Sequence, residues 1–485
     1  MAFYKSLISQ ITLYKYRYFL GYGIIVALIL ISLMLDINTI PNGISRAEMN
    51  SAITSMNLNP KDSLGWIINA PHHVIQRIAI EMFGLSRITL LAPSLFFAIF
   101  TIILFNLTIR RWFSGGVAVI STILASTSTS FILLTRSGTP DVMLPFWTVL
   151  FIYAGVGFLI NHEKGFFWKI LIVLSSIGLI YTPYGIYTLV ACVIGGITHP
   201  HVRSRLRHIR PVRVMVLALL GLIGIIPLII YTIQQPMQFI ALIGLDQLPN
   251  SMDQLRANLA NIASFYLDFT NSRVVDLYIT PIFNITSVAL MLFGIFRLAQ
   301  KHHTARAYVM LSWAGVTILV ILLLNQSPQI AYMPAMFLLA FGMTTLIEEW
   351  YKLFPRNPYA RLAGMIPLGI LLFGIAGSNL AHYFNSFRYM PSPAYSASLS
   401  AVKQAVRLEG NRSVTVVTDT ASKQFYEILK NDYSNLSVTD QLPEKISQPT
   451  LVLPSASNGY DEKSPLRIFV TWTKDHNVVL RVYRP

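Results

Sequence analysis

Charge is scarce in this sequence. Only 12% of its 485 residues are Asp, Glu, Lys or Arg, where a soluble domain carries about 25%. Acids are the scarcer sign, 21 against 37 bases. Cysteine is nearly missing: Cys192 stands alone inside an apolar run. An intrachain disulfide is therefore excluded, and so is the Cys/His spacing of a zinc site. No small-x-small cleavage site follows Leu35, so the first apolar run reads as a retained helix rather than a signal peptide. No internal repeat is found.

What is abundant is apolar surface: 54% of residues are hydrophobic, and mean hydropathy is +0.56. The runs 19–35, 88–109, 114–135, 214–233, 307–324, 330–347 and 362–381 contain no charged residue. A bilayer crossing takes about 20 apolar residues. Only helices and closed barrels satisfy their backbone in lipid. Continuous runs without alternation select helices. The net charge of +16 invites a nucleic-acid partner, but residues 1–390 hold 26 bases and 12 acids, mostly in short loops between apolar runs. The positive-inside bias accounts for that pattern, and nucleic acid is not a partner on this reading.

The loop charges give a topology. Lys5, Lys15 and Arg17 place the N-terminus in the cytoplasm, with Arg110 and Arg111 closing the second crossing there. Residues 114–135 lead outward, and 142–160 return to His162-Glu-Lys164. The stretch 170–198 is long for one helix, and Tyr181-Thr-Pro-Tyr-Gly185 breaks it. Arg203, Arg205, Arg207, Arg210 and Arg213 follow with no acid among them. That loop is a topology determinant and a contact for lipid headgroups. It must be cytoplasmic, so 170–198 crosses twice, as a short helical hairpin. Loop 234–280 is acidic and outside, Arg297, Lys301 and Arg306 are inside, and 325–329 is outside. Lys352, Arg356 and Arg361 are inside, and 362–381 carries the chain out. The expectation is an all-α polytopic protein of the cell membrane with about eleven crossings.

Composition changes near residue 390. Residues 391–485 hold 20 charged side chains. Strands are expected at 413–418, 450–453, 466–473 and 478–483, with amphipathic helices at 398–408 and 422–430. The chain divides into a membrane domain, 1–390, and a small extracytoplasmic α/β domain, 391–485.

The first outer loop, 36–87, is the longest signal of function, because most connections take 4–6 residues and long structured loops tend to carry chemistry. It reads Pro41-Asn-Gly-Ile-Ser-Arg-Ala-Glu48, then a Lys61-Asp62 turn, then Trp66-Ile-Ile-Asn-Ala-Pro71-His72-His73 through Arg77 to Phe83-Gly84. Both halves read as helices lying on the membrane surface. Glu48 sits early in the first, where the helix dipole favours an anion.

This order resembles the GT-C glycosyltransferases of the protein O-mannosyltransferase and lipid A aminoarabinose-transferase superfamily. The resemblance runs over about 18–200. There the loop usually reads Asp-Glu, then "PPLYY", "RLPS" and "SR-x-x-x-x-D". Here the corresponding residues are Ala47-Glu48, Pro71-His72-His73, Leu91-Ala92-Pro93-Ser94 and Arg136-Ser-Gly-Thr-Pro-Asp141. The first acid of the family's pair appears as Ala47. The Trp-Trp-Asp of oligosaccharyltransferases is absent from the sequence.

The resemblance implies transfer of a sugar from a polyprenyl-phosphate lipid to an acceptor hydroxyl on a protein, lipid or glycan, outside the cytoplasm. It implies a carboxylate that takes the hydroxyl proton, Glu48 or Asp141. It also implies positive charge for the departing phosphate, which Arg136 or a divalent metal ion supplies. His72 and His73 contact substrate or help hold the metal. Plainer roles stay open: Glu48 complementing a helix start, Asp141 capping the helix from Val142, and Arg136 as an interface residue. Two other functions compete. One is a non-catalytic scaffold, which Ala47 favours. The other is a secondary transporter, against which the lack of repeats and of midplane charge speaks.

Overall fold

The computed structural model describes residues 17–484 except 42, 59–64, 161–164, 271–272, 276–277, 325–328, 354–357, 390–394, 396–398, 411, 442, 444–445, 457–466 and 471–477. Lys5 and Lys15, the Lys61-Asp62 turn, the loop 162–164, residues 325–328 and Arg356 lie outside the described residues.

Apolar runs become helices wherever the sequence supplies them. In chain order these are α1 (Arg17–Met34), α2 (Arg46–Met56), α3 (Ala70–Phe83), α4 (Arg87–Trp112), α5 (Gly115–Thr127), α6 (Thr129–Thr135), α7 (Met143–Ile160) and α8 (Gly165–Ile180). Then follow α9 (Gly185–Thr198), α10 (Pro200–Arg207), α11 (Pro211–Gln234), α12 (Pro236–Ile243) and α13 (Met252–Tyr266). After a short hairpin of β1 (Arg273–Val275) and β2 (Tyr278–Thr280) come α14 (Ile285–Gln300), α15 (Ala305–Leu324), α16 (Gln329–Leu353) and α17 (Pro358–Tyr389).

Six of these helices are long and apolar enough to cross a membrane, or eight if α5 with α6 and α9 with α10 each count as one bent span. The eleven crossings of the sequence reading are reached only by adding Tyr22–Met34, Gly165–Ile180 and Ile285–Gln300, helices of 10–17 residues. Those fall short of the roughly 20 residues of a straight crossing. The break in 170–198 is real: Tyr184 takes a left-handed conformation (φ 61°) and separates α8 from α9. The five-Arg segment forms the short exposed helix α10 and the turn into α11.

The main core gathers buried residues of α4 to α7 and α14 to α17. α14 and α16 approach backbone to backbone. A Cβ on Gly294 would collide with the Leu338 carbonyl, and one on Gly342 with the Leu290 carbonyl. Small residues permit that contact in membrane helices.

The C-terminal segment folds as α18 (Leu399–Glu409), β3 (Val414–Val417), α19 (Thr420–Glu427), β4 (Leu436–Thr439), β5 (Thr450–Val452), β6 (Arg467–Val470) and β7 (Val478–Tyr483). The sheet order is β4-β3-β5-β7-β6, parallel at β4-β3-β5 and antiparallel beyond. β4 was not foreseen, because Leu436-Ser-Val-Thr439 is short and half polar. This sheet does not stand apart from the membrane helices. Its core is continuous with Ile44, Met49, Ala52, Ile80, Leu85 and Leu90, so the first loop and the C-terminal sheet share one apolar cluster.

Candidate active site

The segment 136–141, between α6 and α7, carries two of the expected site residues, and a web of buried polar groups grips it. The web starts at Ser45, the N-cap of α2. Its hydroxyl accepts from Glu48 N (3.2 Å), while Glu48 Oε2 accepts from Ser45 N (2.8 Å) and Ser45 Oγ (3.0 Å). This capping box follows from Ser-x-x-Glu before a helix. Glu48 Oε1 then accepts from Gly138 N at 2.9 Å. The carboxylate is 2% exposed and bonded at both oxygens. Three donors hold it, and it ties α2 to the 136–141 segment.

Gln76 of α3 makes a second grip. Its Nε2 donates to Leu90 O and Gly138 O (2.9 Å each), and its Oε1 accepts from Ser51 Oγ (3.0 Å) and Ser55 Oγ (2.6 Å). His73 Nδ1 lies 2.8 Å from Ser55 Oγ. His72 Nε2 lies 3.1 Å from Ser94 Oγ, which donates to Thr139 O at 3.2 Å. Both imidazoles are buried, His72 completely. Burial holds the His73 imidazole down at about 4 and pushes His72 well below the usual histidine range, so both are neutral. Spacing on α3 turns both rings inward, toward serines of α2 and α4. Among the described residues no group of three or more His, Cys, Asp or Glu gathers to hold a metal.

Asp141 is placed differently. It lies in the short helical turn Pro140–Val142 and is half-buried. Thr139 Oγ1 donates to its Oδ2 at 2.6 Å. Thr139 is the N-cap residue of that turn, and Asp141 lies inside it. Near it stands Tyr184. Burial, with Asp246, Tyr187 and Asp141 adding to it, pushes this phenol up to about 12. Tyr184 N also donates to Leu242 O (3.1 Å), and Asn69 N donates to Tyr181 O (3.1 Å). Four connections thus meet at this end of the bundle. Asp246 was missed as a site residue because the acids of 234–280 were read only as a topology signal.

Arg136 is 2% exposed and stacks over Tyr383 (5.3 Å) and Phe384 (5.2 Å) of α17, while Nη2 donates to Ile40 O at 2.8 Å. It shares a segment with Asp141 but points to the opposite flank, toward residues 36–45. Ala47 is half-exposed beside buried Glu48. The C-terminal sheet reaches this end of the bundle too. Asp432 Oδ2 accepts from Leu85 N (3.1 Å), and Arg46 pairs with Asp419 (2.9 Å). Gly84, between α3 and α4, has φ +73°, and a Cβ there would lie 2.8 Å from the Asp432 carboxylate oxygens.

Residues 72–231 match the family described as dolichyl-phosphate-mannose-protein mannosyltransferase. No curated protein sequence matches the chain. Among solved structures, ArnT from Cupriavidus metallidurans aligns over 95% of this chain and 98% of its own at 13% identity. The TM-score is 0.54 for the form bound to undecaprenyl phosphate and 0.50 for the apo state. The Archaeoglobus fulgidus oligosaccharyltransferase tethered to an acceptor peptide aligns over 84% of this chain and 63% of its own, at 13% identity and a TM-score of 0.50. The fold is that of the GT-C membrane glycosyltransferases.

Proposed function

We propose that this chain is a membrane glycosyltransferase that moves a sugar from a polyprenyl-phosphate donor to an acceptor hydroxyl on the extracytoplasmic side. The observation that carries the reading is the 136–141 segment. Side chains of α2, α3 and α4 hold its backbone on one flank, and it presents a half-buried carboxylate on the other. The fold and the matched family support the donor class, as does the undecaprenyl phosphate bound to ArnT. The orientation comes from the loop charges, with eleven crossings, a cytoplasmic N-terminus, and the C-terminal sheet outside in the cell membrane.

In the reaction the acceptor oxygen attacks the anomeric carbon, the bond to the lipid phosphate breaks, and the hydroxyl proton passes to a carboxylate. Asp141 takes that proton. Its Oδ2 is held by Thr139 Oγ1, which orients the carboxylate. Glu48 is the positioning residue that fixes Gly138, and with it the backbone three residues before Asp141. Arg136 provides positive charge for the leaving phosphate. Among the described residues no three His, Cys, Asp or Glu side chains gather at this end to hold a divalent metal. No step is routed through one.

The competing reading is a non-catalytic scaffold. Ala47, standing where the resembled family carries Asp, favours it. The test is transfer by the full chain in lipid nanodiscs, supplied with polyprenyl-phosphate sugars and a mixed pool of peptide, lipid and glycan acceptors. Wild type should transfer, and Asp141→Asn should lose about 10²–10⁴-fold in rate. No transfer by wild type across a broad donor set would establish the scaffold. Near-normal transfer by Asp141→Asn would return the proton to Glu48.

A further inference from the structure

The end of the bundle away from the 136–141 segment holds a second site. α4 separates the two ends. Near its start Gln76 bonds both Leu90 O and Gly138 O, and its last residue, Trp112, lines a cavity of about 260 Å³. A helix of 26 residues is about 39 Å long. The last turns of α7, the second half of α9, α10 and the start of α15 complete the walls. Among the described residues, Arg306 is the one charged side chain that lines it.

Two glycines make the space. A Cβ on Gly155 of α7 would meet nothing within 4 Å, and one on Gly196 of α9 only Val202 Cγ1, at 3.7 Å. Their near neighbours do the opposite. A Cβ on Gly157 would collide with the Trp168 ring of α8, and one on Gly195 with Ser312 and Val309 of α15. The helices are clamped to their partners beside the cavity and held apart at it. An empty apolar space forfeits the contacts of its walls. Val193, Ile197 and Leu206 line it yet are 41%, 51% and 43% exposed, so it opens along α9, where a hydrocarbon chain can enter.

Positive charge surrounds the opening. α10 is bent from α9 by 92°. It turns Val202 and Leu206 to the cavity and carries Arg203, Arg205 and Arg207 on the same eight residues. His199 pins its start, with Nε2 3.2 Å from His303 O and the ring against Tyr308 (5.3 Å). Arg306 donates Nη1 to Trp112 O at 2.7 Å, which fixes a guanidinium at the wall. Glu348, the acid that acts on Arg306, is paired with Arg297. The Lys169 ammonium lies over the ring of Phe158, a lining residue, at 5.5 Å, and Arg213 repels it. No Asp or Glu occurs between Glu163 and Asp246. An uncharged lipid would leave this rim uncompensated, and a soluble anion would leave the apolar walls bare. A phosphodiester headgroup on an acyl chain satisfies both.

We infer that this cavity is a site for an anionic phospholipid, with one acyl chain between Gly155 and Gly196 and the headgroup at Arg203, Arg207 and Arg306. The loop charges make this the cytoplasmic leaflet. The site is independent of the transfer reading and stands whether or not the chain moves a sugar.

The full chain is placed in nanodiscs of phosphatidylcholine mixed with phosphatidylglycerol, released, and weighed intact with the lipid it retains. Wild type should retain phosphatidylglycerol in preference to phosphatidylcholine. Gly155→Leu fills the space and leaves every cation in place, and should lower that retention by about tenfold or more. Arg203→Gln and Arg207→Gln change exposed side chains of α10 and should each lower the preference by about fivefold. Trp112 reports the acyl chain without any change to the glycines. Phosphatidylglycerol with brominated chains should quench wild-type fluorescence more than that of Trp112→Phe, and brominated phosphatidylcholine should show little of that difference. Equal retention of the two lipids by wild type overturns the inference. So does wild-type retention by a folded Gly155→Leu, or quenching that ignores Trp112. A lipid-free dimer would also overturn it, because a second copy would then fill the cavity.

Discussion

The membrane helices and the layer at their domain-bearing end satisfy their polar groups in opposite ways. Within the helices, many hydroxyls fold back on their own backbone: Thr101 donates to Phe97 O, Thr108 to Leu104 O, Thr122 to Ala118 O and Thr344 to Ala340 O. In the end layer, polar groups bond across the chain. Glu48 reaches Gly138, Gln76 reaches both Leu90 and Gly138, His72 reaches Ser94, and Leu85 reaches Asp432. Apolar packing dominates the placement of the helices, with a few hydroxyl bonds between them, such as Tyr332 to Ala125 O and Ser312 to Ala191 O. Specific bonds place the 136–141 segment, so single substitutions in the end layer should move it.

Gln76→Leu is the most direct way to break that contrast. It strips partners from Ser51, Ser55, Leu90 O and Gly138 O at once. A half-satisfied buried network is worse than an apolar one, and each orphaned group costs about 1–3 kcal/mol. The expected loss is roughly 3–5 kcal/mol, read as a lower unfolding temperature, with transfer falling as Gly138 shifts. A wild-type unfolding temperature would mean the web is not what fixes the segment.

Acid should open the same web. The folded His73 sits at about 4, below its unfolded value of about 6.5. The unfolded chain therefore binds the proton first. Stability from this group is complete above about pH 6.5, falls as pH drops toward 4, and is level below. A gap of that size is worth on the order of 3 kcal/mol, and His72 acts in the same direction. Unfolding temperatures measured from pH 7.5 to 4 should decline in wild type and less steeply in His73→Gln, where His72 remains. Parallel curves for the two proteins would contradict the assignment.

Glu48→Gln should cost less, about 1–3 kcal/mol, because the amide keeps one acceptor and opposes one N–H with another. Its effect on transfer should stay smaller than that of Asp141→Asn. The reverse ranking would make Glu48 the proton acceptor after all.

The same contrast explains what could be read beforehand. Charge-free runs and a Pro-Gly break are local signals, and they foretold α4, α7, α11, α15 and the split between α8 and α9. The capping box at Ser45-x-x-Glu48 is local too. The partners of Glu48 beyond the box are not. Nothing in Gly138 announces that its N–H serves a carboxylate 90 positions away. The histidines misled because a His-His pair after Pro71 reads as exposed chemistry, whereas helical spacing puts both rings on the inward face.

The smallest effect tests the contrast within one helix. Ser94 and Thr101 both lie in α4, and neither is exposed. The Thr101 hydroxyl donates to Phe97 O, a carbonyl already engaged in the helix ladder, so Thr101→Val orphans nothing. The expected change is within about 0.5 kcal/mol. The Ser94 hydroxyl instead joins His72 Nε2 to Thr139 O. Ser94→Ala leaves both buried without a partner, at about 1–3 kcal/mol. The two substitutions remove the same chemical group from the same helix at equal burial. Their unfolding temperatures should therefore differ only through where each hydroxyl points. Equal costs would mean that burial, and not cross-chain bonding, sets the sensitivity of the end layer.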